Sequence, residues 1–332
     1  MTTSPPEPRR LGATGPAVFP LALGCMGMSG VYGPADEAES IATIHAALDR
    51  GITLLDTGDF YGSGHNELLI GRALRGRRRE QVLLSVKFGA LRAPGGGWTG
   101  YDARPAAVKN FLACSLVRLG VDYVDIYRPA RLDPAVPIED TVGAIAEMIQ
   151  AGHVRHVGLS EVGGDTIRRA HAVHPIVDLQ IEYSLVSRRP EEKIFPLLEK
   201  LDIAVTAYGV LSRGLLSGSK PAAPGDARAH FPRFADANAA QNGRAMATLR
   251  RMATEHGATP AQLAIAWVLA KNPRIVPVLG ARTRAQLDES LAALALRLTP
   301  AAIAEIEAAL PPSAVAGERY APPQMARLDS ER

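Results

Sequence analysis

Several things are scarce in this chain, and each scarcity excludes something. Two cysteines, Cys25 and Cys114, in 332 residues provide neither a disulfide framework nor a metal-ligand spacing. No apolar run nears the ~20 residues of a membrane helix. The opening MTTSPPEPRRLG has no apolar stretch behind its arginines, so it does not read as a secretory signal. Charge of one sign is not in excess: 37 Lys+Arg against 34 Asp+Glu leave +3, with no long basic run to suit a nucleic acid. No cluster of His, Asp and Glu suggests a metal. Lysine is rare, with six of the 37 cations, at 87, 109, 193, 200, 220 and 271. The expectation is a soluble, cytoplasmic protein with a small-molecule substrate, without nucleic-acid, membrane or metal partners.

What is present alternates. Short apolar, β-branched runs recur at 21–24, 52–59, 82–88, 121–127, 154–160, 177–183, 203–210 and 275–280. Most are near-continuously apolar, as strands buried on both faces of a parallel sheet should be. Between them lie segments with one apolar face, such as Ile41, Ile44 and Leu48, or Ile138, Val142, Ile145 and Ile149. Thr259-Pro260-Ala261-Gln262 reads as a helix start, with a capping Thr, Pro at the first position and Gln three residues on. Eight strand–helix units predict a (β/α)8 TIM barrel as one domain over 1–332. An open doubly wound sheet is disfavoured, because LGCMGMSG (23–30) lacks the GxGxxG spacing. The expected extras are an N-terminal flap before residue 20, a long loop at about 212–242 and a Pro-bearing tail after Pro311.

In such a barrel the working residues sit at the C-terminal strand ends. Asp56 and Asp59 end the second strand, Tyr61 opens its loop, and Lys87 lies near the end of the third. A lysine in an apolar strand either points outward or is paired, since an unpaired buried charge is costly. An ammonium beside a phenol would lower the phenol's pKa, and a carboxylate would keep the ammonium charged. Asp56, Lys87 and Tyr61 would together deliver a proton to a developing alkoxide.

DTGDFYGSGHNELLIGRAL (56–74), SVKFG (85–89), SLVRLGVDYVDIY (115–127), RLDP (131–134), GLSE (158–161), QIEYSLVSR (180–188) and PVLGAR (277–282) occur in the order of the aldo-keto reductase family, which the chain resembles from LGATGP near its start to GERY at 317–320. MGMSG and YGP near the first strand are similar to its bacterial and fungal branch. The resemblance implies NADP(H) (NADPH/NADP+) lying across the strand ends, with hydride passing to a carbonyl carbon while Tyr61 protonates the oxygen. Asp56, Tyr61 and Lys87 match three of the family's four catalytic positions. Ser160 and Gln180 match positions that hold the nicotinamide carboxamide, with Glu161 where Asn is common, and Tyr208 matches the ring that stacks on the nicotinamide. Gly209, Val210, Leu211 and Arg213 match the pyrophosphate turn. Gly280, Arg282, Gln286, Glu289 and Ser290 match the adenosine end, where Arg282, with Arg284 beside it, would pair the 2′-phosphate. The family habit also implies a monomer or weak homo-oligomer.

The departure is at the fourth catalytic position. Where the family usually reads His-Arg-x-Asp-Pro, this chain reads Ala130-Arg131-Leu132-Asp133-Pro134, and no histidine occurs between His65 and His153. Losing one donor to a developing oxyanion commonly costs ~10²–10³ in rate. Three readings stay open: a carbonyl reductase resting on Tyr61, a reductase of C=N or conjugated C=C bonds, and a low-turnover NADPH-binding regulator. Candidate pocket walls are Tyr32, Phe88, Trp98 in the Gly-rich loop APGGGWTG (93–100), and Arg128, which either points outward or turns in toward an anionic substrate.

Overall fold

The computed structural model describes residues 6–221 and 225–332. Eight parallel strands close on themselves: β1 (Ala22–Gly24), β2 (Leu54–Gly58), β3 (Leu83–Phe88), β4 (Val124–Pro129), β5 (Val154–Ser160), β6 (Ile176–Glu182), β7 (Ala204–Tyr208) and β8 (Ile275–Gly280), with β8 pairing back onto β1. Outside them run α1 (Glu37–Asp49), α2 (His65–Ala73), α3 (Pro105–Leu119), α4 (Ile138–Gln150), α5 (Gly164–Val173) and α6 (Pro190–Lys200). Two helices, α7 (Asp236–Glu255) and α8 (Pro260–Lys271), separate β7 from β8, and α9 (Arg284–Ala292) and α10 (Pro300–Ala309) follow. This is the (β/α)8 barrel the alternation predicts.

Strand side chains alternate between two faces. Leu23, Leu55, Leu84, Val86, Phe88 and Tyr127 face outward into the layer shared with the helices. Ala22, Leu54, Ile126, Ala204, Val276 and Val278 face inward, where Leu11 and Val18 join them. Those two flank a hairpin, Arg9–Arg10 against Ala17–Val18, which stoppers the N-terminal end of the barrel. Arg9 ties it down by donating to the carbonyls of Leu269 (2.7 Å), Asn272 (3.0 Å) and Ile275.

The start of α8 carries the cap its sequence predicts. Thr259 Oγ1 accepts from Gln262 N (3.2 Å), and Gln262 Oε1 accepts from Thr259 N (3.0 Å). Three expectations are corrected. The fourth strand reaches Pro129 rather than stopping at Tyr127, so Arg128 is a strand residue. The segment expected as loop to residue 242 becomes α7 from Asp236, because Ala245, Met246, Leu249 and Met252 share a buried face. The Gly-rich stretch after β3 is not open loop: Trp98–Tyr101 pairs antiparallel with Ala90–Arg92. No helix of the described residues is long and apolar enough to cross a membrane.

Candidate active site

The upper interior of the barrel is polar, and Asp56 on β2 is its hub. One carboxylate oxygen takes the Lys87 ammonium from β3; the other takes Ser85 Oγ (3.0 Å) and Gln180 Nε2 (2.8 Å). Asp56 and Lys87 are both buried, so Lys87 points in and is paired. Burial lowers the Lys87 pKa, and the Asp56 charge opposes that fall. Beneath them Arg128, fully buried, donates to Asp178 Oδ2 (2.8 Å), Leu159 O (3.2 Å) and Ser85 Oγ (3.0 Å). Gly158 makes room for this pair: a Cβ there would fall 2.8 Å from Asp178 Oδ1 and 2.9 Å from Arg128 Cζ.

Arg128 is therefore no pocket wall. It turns inward like its register partner Lys87, but it is fully buried and Asp178 takes its charge. Phe88 is corrected by strand parity. It neighbours the inward Lys87, so it faces outward and stacks on Tyr127, with centroids 4.3 Å apart. Trp98 does reach the site: it lies on its hairpin edge-on to Phe60 (5.6 Å), and Phe60 is edge-on to Tyr61 (4.8 Å). Tyr32 borders the same mouth, with the Arg228 guanidinium 5.6 Å from its ring centroid. Burial pushes its phenol up to about 12.

Tyr61 begins a tight turn directly after β2, in which Gly62 and Ser63 have φ of 57° and 54°. The Lys87 ammonium lies 5.0 Å from its ring centroid. The expected downward tuning is reversed. Burial first, then the Asp56 charge, raises the phenol well above its ordinary pKa, with Arg131 pulling the other way. Tyr61 thus keeps its proton at neutral pH and is suited to act as an acid.

Ala130 is buried between β3 and β4, its N–H bonded to Phe88 O (2.8 Å). Beside it, Arg131 folds back over the site and donates to Ala130 O (2.6 Å), Ser160 Oγ (3.4 Å) and Tyr320 OH (3.1 Å). The tail after α10 crosses this mouth. Tyr320 OH also meets Tyr208 OH (3.0 Å), and Arg319 makes a bidentate pair with Glu161 (2.7 and 2.6 Å). Ser330 Oγ and Tyr208 OH donate to the same carboxylate at 2.6 and 2.7 Å. Burial alone would raise Glu161, but Arg319 first, then the Arg131 charge and the Ser330 hydroxyl, hold it at about 2. Glu161 has φ of 53°, a left-handed conformation uncommon for this residue type.

Residues 20–311 match the model of the aldo/keto reductase family. The chain belongs to that family. It is 40% identical over 325 residues to a probable aldo-keto reductase 1 of Glycine max, spanning 96% of this chain and 93% of that one. Its fold is similar to glycerol dehydrogenase AKR11B4 from Gluconobacter oxydans, with TM-score 0.82 and 28% identity over 92% of this chain and 96% of that one. It is also similar to the holo form of aldo-keto reductase AKR11C1 from Bacillus halodurans, with TM-score 0.77 and 29% identity over 92% and 97% of the two chains.

The residues of this aldo-keto reductase that would hold a nicotinamide dinucleotide form one arc over the strand ends, and their donor chemistry fits it. At one end are Ser160, Gln180 and the half-buried ring of Tyr208. In the middle, the turn after β7 places Gly209, Ser212, Arg213 and Gly214 at positive φ. A Cβ on Gly209 would lie 2.9 Å from Glu182 Cγ, so only glycine fits there. Val210 is buried in the core and Leu211 packs against it, while the Arg213 side chain pairs with Glu182 (3.0 Å). At the far end, beyond exposed Gly280, the Arg282 guanidinium rests on the carbonyls of Tyr32 and Pro34 (3.2 Å each). Its N–H is capped by Gln286 Oε1 (2.8 Å). Ser290 bonds back to Gln286 O (2.9 Å), and Glu289 accepts from Thr259 Oγ1 (2.9 Å). Arg284 is corrected as a second phosphate partner, since Glu39 takes it at 2.9 and 3.2 Å.

Three participants went unassigned in the sequence: Arg131, Arg319 and Tyr320. The available clue was Glu161. A carboxylate in place of Asn at a buried strand end demands a cation, and GERY supplies one.

Proposed function

We propose that this chain is an NADP(H)-dependent reductase of carbonyl compounds, with Tyr61 as the acid. The observation that carries the reading is the buried Asp56–Lys87 pair with the Tyr61 ring against the ammonium, 5.0 Å from centroid to Nζ. NADPH, when bound, supplies the hydride that adds to the carbonyl carbon. Tyr61 holds its proton until negative charge develops on the oxygen, then donates it; an alkoxide is far more basic than a phenolate. Lys87 stabilises the phenolate so produced. Asp56 keeps Lys87 charged and fixed, and Ser85 and Gln180 fix Asp56. Ser160 and Tyr208 would meet the nicotinamide, and Gly209 to Arg213 the pyrophosphate. Arg282, resting only on neutral carbonyls, supports a 2′-phosphate and hence NADPH over NADH.

The test is NADPH and NADH oxidation with a panel of aldehydes, diketones, oxo acids, imines and enones. Cofactor binding is followed by NADPH fluorescence in the same samples. Carbonyl turnover that Tyr61→Phe lowers by at least ~10², with NADPH still bound, is the expected result. Turnover confined to imines or enones, or tight binding without turnover, would overturn it.

A further inference from the structure

Five arginines gather at the mouth of the barrel, and four are neutralised there. Arg213 and Arg233 share Glu182, Arg228 holds Asp226, and Arg319 holds Glu161 and Glu331. Arg131 differs. Its partners are a backbone carbonyl, a serine hydroxyl and a phenol, and among the described residues no carboxylate pairs with it. Glu161 faces it electrostatically but spends both oxygens on Arg319.

Neighbouring Glu161 keeps the Arg131 guanidinium charged, yet no carboxylate occupies its planar fork, whose geometry matches one. The position is specific too. Arg131 adjoins Ala130, whose N–H is bonded to β3 one residue past Lys87, and it touches Ser160 at the end of β5. It stands beside the reacting centre, where the small Ala130 leaves room for it.

Building on the reductase reading above, we infer that Arg131 is the substrate-anion site of this enzyme, and that its substrates carry a carboxylate next to the reducible carbonyl, as 2-oxo acids do. The carboxylate takes the Arg131 donors, displacing the Tyr320 hydroxyl that fills one of them here. The carbonyl carbon then takes hydride from the reduced nicotinamide and the oxygen takes the Tyr61 proton. The products are a 2-hydroxy acid and the oxidised nicotinamide, with atoms and electrons balanced.

The experiment compares phenylglyoxylate with its methyl ester, which removes the charge and adds one methyl group. Binding is measured by calorimetry on the full chain, with and without NADP+, and kcat/KM is measured with NADPH. The wild type should bind the acid at least tenfold more tightly than the ester. Arg131→Gln should lower the acid-to-ester ratio of kcat/KM at least tenfold, and Arg131→Lys should fall between. Equal binding of acid and ester, or a ratio untouched by Arg131→Gln, would overturn the assignment. Arg131-dependent acid binding without reduction of either compound would uphold the anion site and overturn the reductase reading, so the two failures are separable.

Discussion

At the scale of single residues, a pH dependence that falls between acid and neutral pH belongs to Asp59. It sits at the end of β2, buried, with one oxygen accepting from Gly89 N (3.2 Å) and Oδ1 without a partner among the described residues. Burial, with a smaller push from Glu67, raises its pKa to about 7. The folded state therefore holds a proton that the unfolded chain releases near pH 4. Stability falls as pH rises from about 4 to about 7 and is level above. Asp59→Asn keeps the Gly89 contact and should flatten that slope, gaining up to about 4 kcal/mol at pH 8. Thermal unfolding of both proteins between pH 4 and 8 checks this, and parallel curves would refute it. The sequence marked Asp59 only as a strand-end acid, since its desolvation depends on α2 and β3 closing over it. Lys87 and Phe88 carry a related lesson. Both stood out as site candidates, yet adjacent strand residues cannot share a face, so only Lys87 enters the barrel.

At the scale of elements, what was legible followed local chemistry. β5 and β8 have the bounds read from their apolar runs, 154–160 and 275–280, and the Thr259 cap needs only four consecutive residues. Thr259→Ala should cost about 1 kcal/mol and lower Tm by roughly 2 °C in a chain of this size. Its hydroxyl also reaches Glu289 on α9, so Thr259→Ser should recover most of the loss. A larger drop in Tm for the serine variant would point to the methyl group instead. The misread elements were those whose identity is settled across the chain. Gly-rich 93–100 became a strand pair because Trp98 has Phe60 and Arg92 to pack on. The apolar face of α7 was hidden in an alanine-rich stretch.

At the scale of the whole molecule, each end of the barrel is closed by one end of the chain: the Arg9–Val18 hairpin below and the tail after α10 above. The hairpin's inward Leu11 and Val18 follow from hydrophobicity. The tail's attachment does not, because Glu161 and Arg319 lie 158 residues apart and their pairing exists only once the barrel has closed. Glu161→Ala should release the tail, since Glu331 and Ser330 belong to the tail itself and the barrel then offers Arg319 only the Tyr208 hydroxyl (3.3 Å) and a distant Glu182 (3.9 Å). Limited trypsin digestion would then cut at Arg319 or Arg327 at least tenfold faster than in wild type, with the barrel intact. Unchanged cleavage would show that Asp329, bonded to Gly163 N at 2.7 Å, suffices as an anchor.

The two tryptophans are placed very differently. Trp267 is fully buried in α8, while Trp98 is half exposed on the hairpin beside Phe60 and Tyr61. Under excitation selective for tryptophan, the indole that a ligand entering the mouth meets is therefore Trp98 at its rim, and occupancy can be followed optically in the unlabelled protein.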